Sequence, residues 1–231
     1  MKTIVFVGPS LPDTSGFEIR PPAAVGDILA ASRERGVRRI ALIDGYFERM
    51  AAVWHKEILL ALERGIAVYG AASMGALRAA ELAPFGMIGV GAIYRAFARG
   101  ELVADDEVAV AHLPAEGGYR AVSDALVNLR AGLASAARAR VITVRTRDAL
   151  VELARARFYR ERSWQRLDDD ARAARLPARE LDRLAAWPKP DQKAADARRL
   201  MRTLARDPII RPAPLRVPRT WALRQLLRSI M

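Results

Sequence analysis

Three short apolar runs, each ended by a turn and each followed by a helix-length amphipathic segment, organise the chain as far as Pro84. Thr3–Val7 is a compact, β-branched run that stops at Gly8-Pro9-Ser10. Arg39–Asp44 is a second buried run ended by Asp44-Gly45, and Ile66–Tyr69 is a third, closed by Gly70. Between and behind them the apolar spacing changes to that of a helix. Gly26–Arg35 places Ile28, Leu29 and Ala31 on one side, Met50–Arg64 carries Val53, Trp54, Ile58, Leu59 and Leu62, and Met74–Leu82 is the next helix. Strands separated by single helices cannot pair as hairpins. They form βαβ units with right-handed crossovers and a parallel sheet. The N-terminal part is therefore expected to be α/β with a Rossmann-like parallel sheet.

After Pro84 the pattern changes. Gly86, Gly89 and Gly91 punctuate a turn, Ile93–Arg99 reads as a helix, and Asp106–His112 reads as a further strand. A helix is expected from Ser123, as N-cap, to about Arg140. No glycine follows Gly132, and the Ala/Arg/Leu-rich remainder suits helices at about 147–161, 178–186, 191–205 and 219–229, broken by Pro177, Pro188, Pro190 and the Pro208 to Pro218 run. The sequence thus suggests an α/β core over residues 1–137 and an all-helical, basic region over 138–231.

Charge follows the same division. Residues 1–137 carry 14 Lys+Arg and 15 Asp+Glu, whereas residues 138–231 carry 24 and 11, so the whole excess lies in the second part. Such a block fits nucleic acid or an acidic protein face. No nucleic-acid-binding motif accompanies it, and most of its cations are Arg in an Ala-rich chain, so a protein partner is expected rather than nucleic acid. The absence of cysteine excludes disulfides, thiolate metal sites and cysteine nucleophiles, and two histidines are too few for a histidine-rich zinc site. No apolar run approaches a membrane span, and the N-terminal run is too short for a signal peptide. These features suggest a cytoplasmic protein without membrane, metal or cofactor.

Ligands of open parallel sheets bind outside the carboxyl ends of the strands. Gly8-Pro9-Ser10, Asp44-Gly45 and Gly70-Ala71-Ala72-Ser73-Met74-Gly75 all fall there. Ser73, between a strand and a helix with Gly75 two residues on, is similar to the serine of a nucleophile elbow, with Ala71 in place of the first glycine. Three roles suit it: nucleophile, helix N-cap, or anion binding at the helix start. An Asp44–His55–Ser73 relay follows the logic of the catalytic triad. His55 shares a helix side with Leu59 and Leu62, which equally suits a partly buried structural imidazole. Lys56 is one of only four lysines, in an Arg-dominated chain. Arg78 sits near a helix start, against the dipole's preference, which points to an anionic partner such as Asp44, Glu57 or a ligand carboxylate; it can also pair with Glu81. Asp105-Asp106-Glu107 suits either a solvated turn or an oxygen-ligand site for Mg²⁺.

Seven blocks also resemble a known family in one order over about residues 5–135. They are Val-Phe-Val-Gly-Pro-Ser-Leu at 5–11, Pro-Pro-Ala-Ala-Val-Gly-Asp at 21–27, Ile-Asp-Gly-Tyr-Phe at 43–47 and Ala-Val-Trp-His-Lys-Glu-Ile-Leu at 52–59. Gly-Ala-Ala-Ser-Met-Gly-Ala-Leu-Arg-Ala-Ala-Glu-Leu at 70–82, Phe-Gly-Met-Ile-Gly-Val-Gly at 85–91 and Asp-Asp-Glu-Val-Ala-Val at 105–110 complete them. Together they look like the TfuA-like core domain. The resemblance implies work beside a YcaO-domain protein in peptide-backbone thioamide formation: sulfide released by hydrolysis of the C-terminal thiocarboxylate of a ThiS-like sulfur-carrier protein. On that implication Ser73, His55 and Asp44 are the expected catalytic residues. Gly8, Ser10, Lys56, Glu57, Arg78 and Glu81 are the expected binding residues, and a precursor peptide is a further possible partner. A non-catalytic adaptor that docks on the YcaO enzyme is the alternative.

Overall fold

The computed structural model describes residues 1–12, 14–47 and 51–229. The first elements are β1 (Lys2–Phe6), β2 (Glu18–Arg20), α1 (Asp27–Arg33), β3 (Val37–Leu42) and α2 (His55–Glu63). They are followed by β4 (Ala67–Ala71), α3 (Met74–Leu82), β5 (Ile88–Val90) and α4 (Ala92–Ala98). Further helices are α5 (Leu126–Arg138), α6 (Val144–Ala156), α7 (Trp164–Ala173), α8 (Ala178–Ala185), α9 (Gln192–Arg206) and α10 (Trp221–Ser229). The five strands pair in parallel in the order β2-β1-β3-β4-β5. The α/β class, the parallel sheet and the helical C-terminal part are as the periodicity predicts. In this strand order the winding reverses between β1 and β3, which places the ligand crevice of the fold type there.

Alternation along the strands sends side chains to two faces, and both are buried. Ile4, Phe6, Ile40, Leu42 and Val68 point one way; Val5, Ala41, Ala67, Tyr69 and Ala71 point the other. The second set, with Val7 and Ile43, packs against Ala197, Leu200 and Leu204 of α9, with Leu11 and Phe17 beside them. A parallel sheet needs cover on both faces. Here the second cover comes from more than 100 positions further along the chain.

That packing moves the division of the chain. Residues 1–103 and 194–231 form one compact unit, and residues 104–193 form the other. The boundary expected between 137 and 138 falls inside α5. Composition marks where the charge changes, but the sheet's uncovered face decides which helix belongs with it. Within the first unit, Val217, ahead of α10, and Leu223, in its first turn, join Leu29 and Leu60 of α1 and α2. In the second unit Leu126, Leu129, Leu133, Leu150, Leu167 and Leu181 build a helical core.

Several local expectations are corrected. Asp106–His112 is not a strand: Asp105–Glu107 is a 3-10 turn, and His112 makes a single isolated bridge to Ala121. Arg162 and Arg130 hold the Asp106 and Glu107 carboxylates and bend the chain there. Helix α5 begins at Leu126 with Ala125 at its N-cap, because the Ser123 hydroxyl accepts the Ala111 N–H instead. The Gly86–Gly91 turn contains β5. Helix α2 starts at His55; Met50, the expected start, lies outside the described residues. Among the described residues no helix is long and apolar enough to cross a membrane.

Candidate functional site

The turns after β1 and β3 meet at the point where the winding reverses. The N–H groups of Gly8 and Ser10 donate to Asp44 Oδ2 at 2.9 and 3.0 Å, and the Ser10 hydroxyl donates to Oδ1 at 2.6 Å. Asp44 and Ser10 are 1% and 2% exposed. The Asp44 carboxylate therefore fills the anion cradle that the first turn forms, and it makes no hydrogen bond to His55. Gly8, Ser10 and Asp44 are one cluster, as the strand-end argument expects. Its work is to fasten two strand ends together.

The turn after β4 is tighter. Ala72 has φ +66°, and Ser73 N–H donates to Ala71 O at 2.8 Å. A bond between residues two apart around a positive φ is a γ-turn, and for alanine that conformation stores about 1–3 kcal/mol. The turn sets Ser73 at the N-cap of α3, where its carbonyl accepts the N–H groups of Ala76 and Leu77. Its side chain makes no capping hydrogen bond, so helix capping does not account for a serine here. Gly75 N–H donates to Ile43 O, which leaves Met74 N–H, directly after Ser73, without a hydrogen-bond partner among the described residues. Gly75 is obligatory: a Cβ there would lie 1.7 Å from Leu42 O, and one on Gly70 would lie 2.0 Å from Gly75 O. Ser73 is 7% exposed. A hydroxyl beside an N–H at a helix start is the arrangement that attacks a carbonyl and receives its oxyanion.

The match to known proteins includes this turn. Residues 44–163, more than half of the chain, match the family model described as TfuA-like protein. The chain belongs to the TfuA-like family. No curated protein matches it. The matched span of this TfuA-like chain includes Asp44, His55, Ser73, Arg78 and Glu81 but neither Gly8 nor Ser10, and it ends before α9 begins.

His55, Arg78 and Glu81 form a second cluster in the TfuA-like chain. Glu81 Oε2 lies 2.8 Å from His55 Nε2 and accepts from Arg78 Nη1 at 2.7 Å, while Arg78 Nε donates to Val53 O at 3.0 Å. Arg78 thus pins the segment before α2 to α3, and its anionic partner is Glu81, not Asp44 or Glu57. The carboxylate can only accept, so His55 Nε2–H is the donor of this contact. The His55 side chain is 47% exposed. Eight positions of α3 separate Ser73 from Glu81, a rise of about 12 Å. Held at Glu81, His55 makes no hydrogen bond to Ser73, and the expected Asp44–His55–Ser73 relay is not assembled.

The remaining expected residues serve the framework. Glu57 is fully buried; its Oε2 accepts the N–H groups of Gly26, Ile28 and Leu29, and its Oε1 accepts that of Trp54. It caps α1 from α2. Burial pushes its carboxyl up to about 7, against the opposing pull of these backbone donors. Lys56 donates to the Thr220 hydroxyl, just before α10. In the other unit Asp106 and Glu107 are occupied by arginines, and among the described residues no group of three or more His, Asp or Glu side chains could hold a metal ion. Sequence reasoning missed the Met74 N–H and the strained Ala72. Alanine gives no signal of a left-handed conformation, whereas the Gly70 to Gly75 spacing does mark the close approach.

Proposed function

We propose that this TfuA-like chain releases sulfide by hydrolysing the C-terminal thiocarboxylate of a ThiS-like sulfur-carrier protein, for a YcaO enzyme that forms backbone thioamides. The observation that carries the reading is the Ser73 turn, a strained strand-to-helix junction with the Met74 N–H open beside the hydroxyl. The Ser73 oxygen attacks the thiocarboxylate carbon, and the oxygen of that group takes up charge facing Met74 N–H. The C–S bond then breaks. The serine proton goes to the departing sulfur, which leaves as HS⁻, and an ester to Ser73 remains. Water cleaves the ester to carboxylate and a proton and restores the hydroxyl. Because the leaving sulfur is itself strongly basic, it can take the proton that a distant imidazole cannot reach. The positive end of α3 favours an anionic tail in the same place.

The test is sulfide release from a thiocarboxylated carrier with no YcaO protein present. The wild type should release sulfide well above the spontaneous rate, and Ser73→Ala should lose at least 10³-fold of that while keeping its fold. No catalysed release, under conditions where the carrier binds, rejects the hydrolase. The chain is then an adaptor that docks on the YcaO enzyme.

A further inference from the structure

Helix α9 has two unlike sides. Ala194, Ala197, Leu200 and Leu204 are buried, the last three against the sheet. Arg198, Arg199, Arg202 and Arg206 are exposed on the other side. Arg198, Arg202 and Arg206 are four positions apart, so they stand in one row about 12 Å long. No acidic residue lies between Ala197 and Arg206, and among the described residues none of the four guanidinium groups makes a hydrogen bond or ion pair. Like charges at this spacing repel, so the row costs the isolated helix stability. By contrast, Arg130 of α5 holds Glu107, and Arg172 of α7 holds Asp168 and Asp182.

The direction of α9 gives the row a place relative to Ser73. At its beginning, Asp196 Oδ2 accepts the Ile93 N–H at 2.8 Å, just beyond the carboxyl end of β5. After its end, Asp207 O accepts from Arg39, in the first half of β3. The helix therefore runs antiparallel to the strands, and the row begins at the sheet edge that carries Ser73 and leads away from it.

We infer that this row is a docking surface for an acidic face of the protein that presents the thiocarboxylate tail, an inference that rests on the hydrolytic reading above. Four unpaired guanidinium forks spaced at helical intervals match carboxylates repeated along a helix or strand, and each fork takes a carboxylate in two-point fashion. The row contains no aromatic side chain on which a base would stack, which favours a protein face over single-stranded nucleic acid. Docking there fixes the body of the partner on the sheet's second face while its flexible C-terminus reaches the edge.

The test uses the full chain, a ThiS-like carrier in its carboxylate form, and the variants Arg198→Glu/Arg202→Glu and Arg202→Glu/Arg206→Glu. These exposed changes leave the fold intact by circular dichroism. Carrier binding, read by calorimetry at 50 mM salt, should weaken at least tenfold in each variant, and the difference should shrink below threefold at 500 mM salt. Sulfide release from thioacetate, which has no protein body, reports the Ser73 site separately and should be unchanged. A wild type that binds the carrier in this salt-dependent way yet releases no sulfide refutes the hydrolase and leaves the docking surface standing. Variants that bind the carrier as the wild type does overturn the surface. So do variants that lose only affinity for a single-stranded oligonucleotide.

Discussion

Ser10 gives its hydroxyl to Asp44 across 2.6 Å, and in doing so closes the point at which the winding of the sheet reverses. In folds of this strand order that crevice is the usual ligand site. Here a buried side chain of the protein occupies its anion cradle.

Asp44→Ala removes the acceptor of Gly8 N–H, Ser10 N–H and the Ser10 hydroxyl together. Buried donors left without partners make this change cost about 3 kcal/mol. Urea denaturation should register that loss, and sulfide release per folded molecule should fall far less than in Ser73→Ala. A fully stable but inactive Asp44→Ala protein would place the carboxylate in the reaction.

Glu57 makes stability depend on pH. Its carboxyl is raised from the usual 4.5 to about 7 in the folded chain, so between these values the folded state holds the proton more tightly than the unfolded one. The contribution is fully present below about pH 4.5 and is lost as pH rises through about 7, a change on the order of 3 kcal/mol. Unfolding free energies at pH 5 and pH 7.5 should differ in that direction, and Glu57→Gln should flatten the difference. A slope of opposite sign would mean that the carboxylate is charged in the fold.

His55→Ala and Glu81→Gln break an exposed pair worth less than about 1 kcal/mol. Because α3 holds that pair away from Ser73, sulfide release should stay within tenfold of the wild type in both. An effect of His55→Ala as large as that of Ser73→Ala would show that the imidazole leaves Glu81 during turnover.

Arg162, 2% exposed, is the hinge pin of the helical unit. It donates to the carbonyls of Ala154, Arg157 and Asp106 and to the Asp106 carboxylate. Arg162→Ala strands the Asp106 carboxylate and these carbonyls and should cost about 3–5 kcal/mol. Limited proteolysis should then cut first within residues 104–193, ahead of the sheet.

The central strands and the helices between them were legible because each of those strands is a short apolar run ended by a turn, while the segments between are long enough to show helical spacing. β2 and β5 escaped notice: Glu18–Arg20 and Ile88–Val90 are three residues each, too short to carry a period. Asp106–His112 reads as a strand only while Arg162, far along the chain, is ignored. Ser10, Asp44 and Ser73 could be placed at one edge from strand order alone, whereas the partner of His55 could not. Which carboxylate meets an imidazole depends on the angle at which α2 crosses α3, and Arg78 sets that angle by holding both Val53 and Glu81.

The cover that α9 provides also has a consequence in time. A ribosome that has released the first 137 residues has delivered every strand but not the helix that shields Val5, Ala41, Tyr69 and Ala71. Until residue 206 emerges, that apolar surface has no native partner within its own chain. Synthesis therefore passes through an interval in which the half-made molecule is sticky, and chaperone occupancy should peak there. Stop codons placed after α5 should yield insoluble product even though the sheet's own sequence is complete.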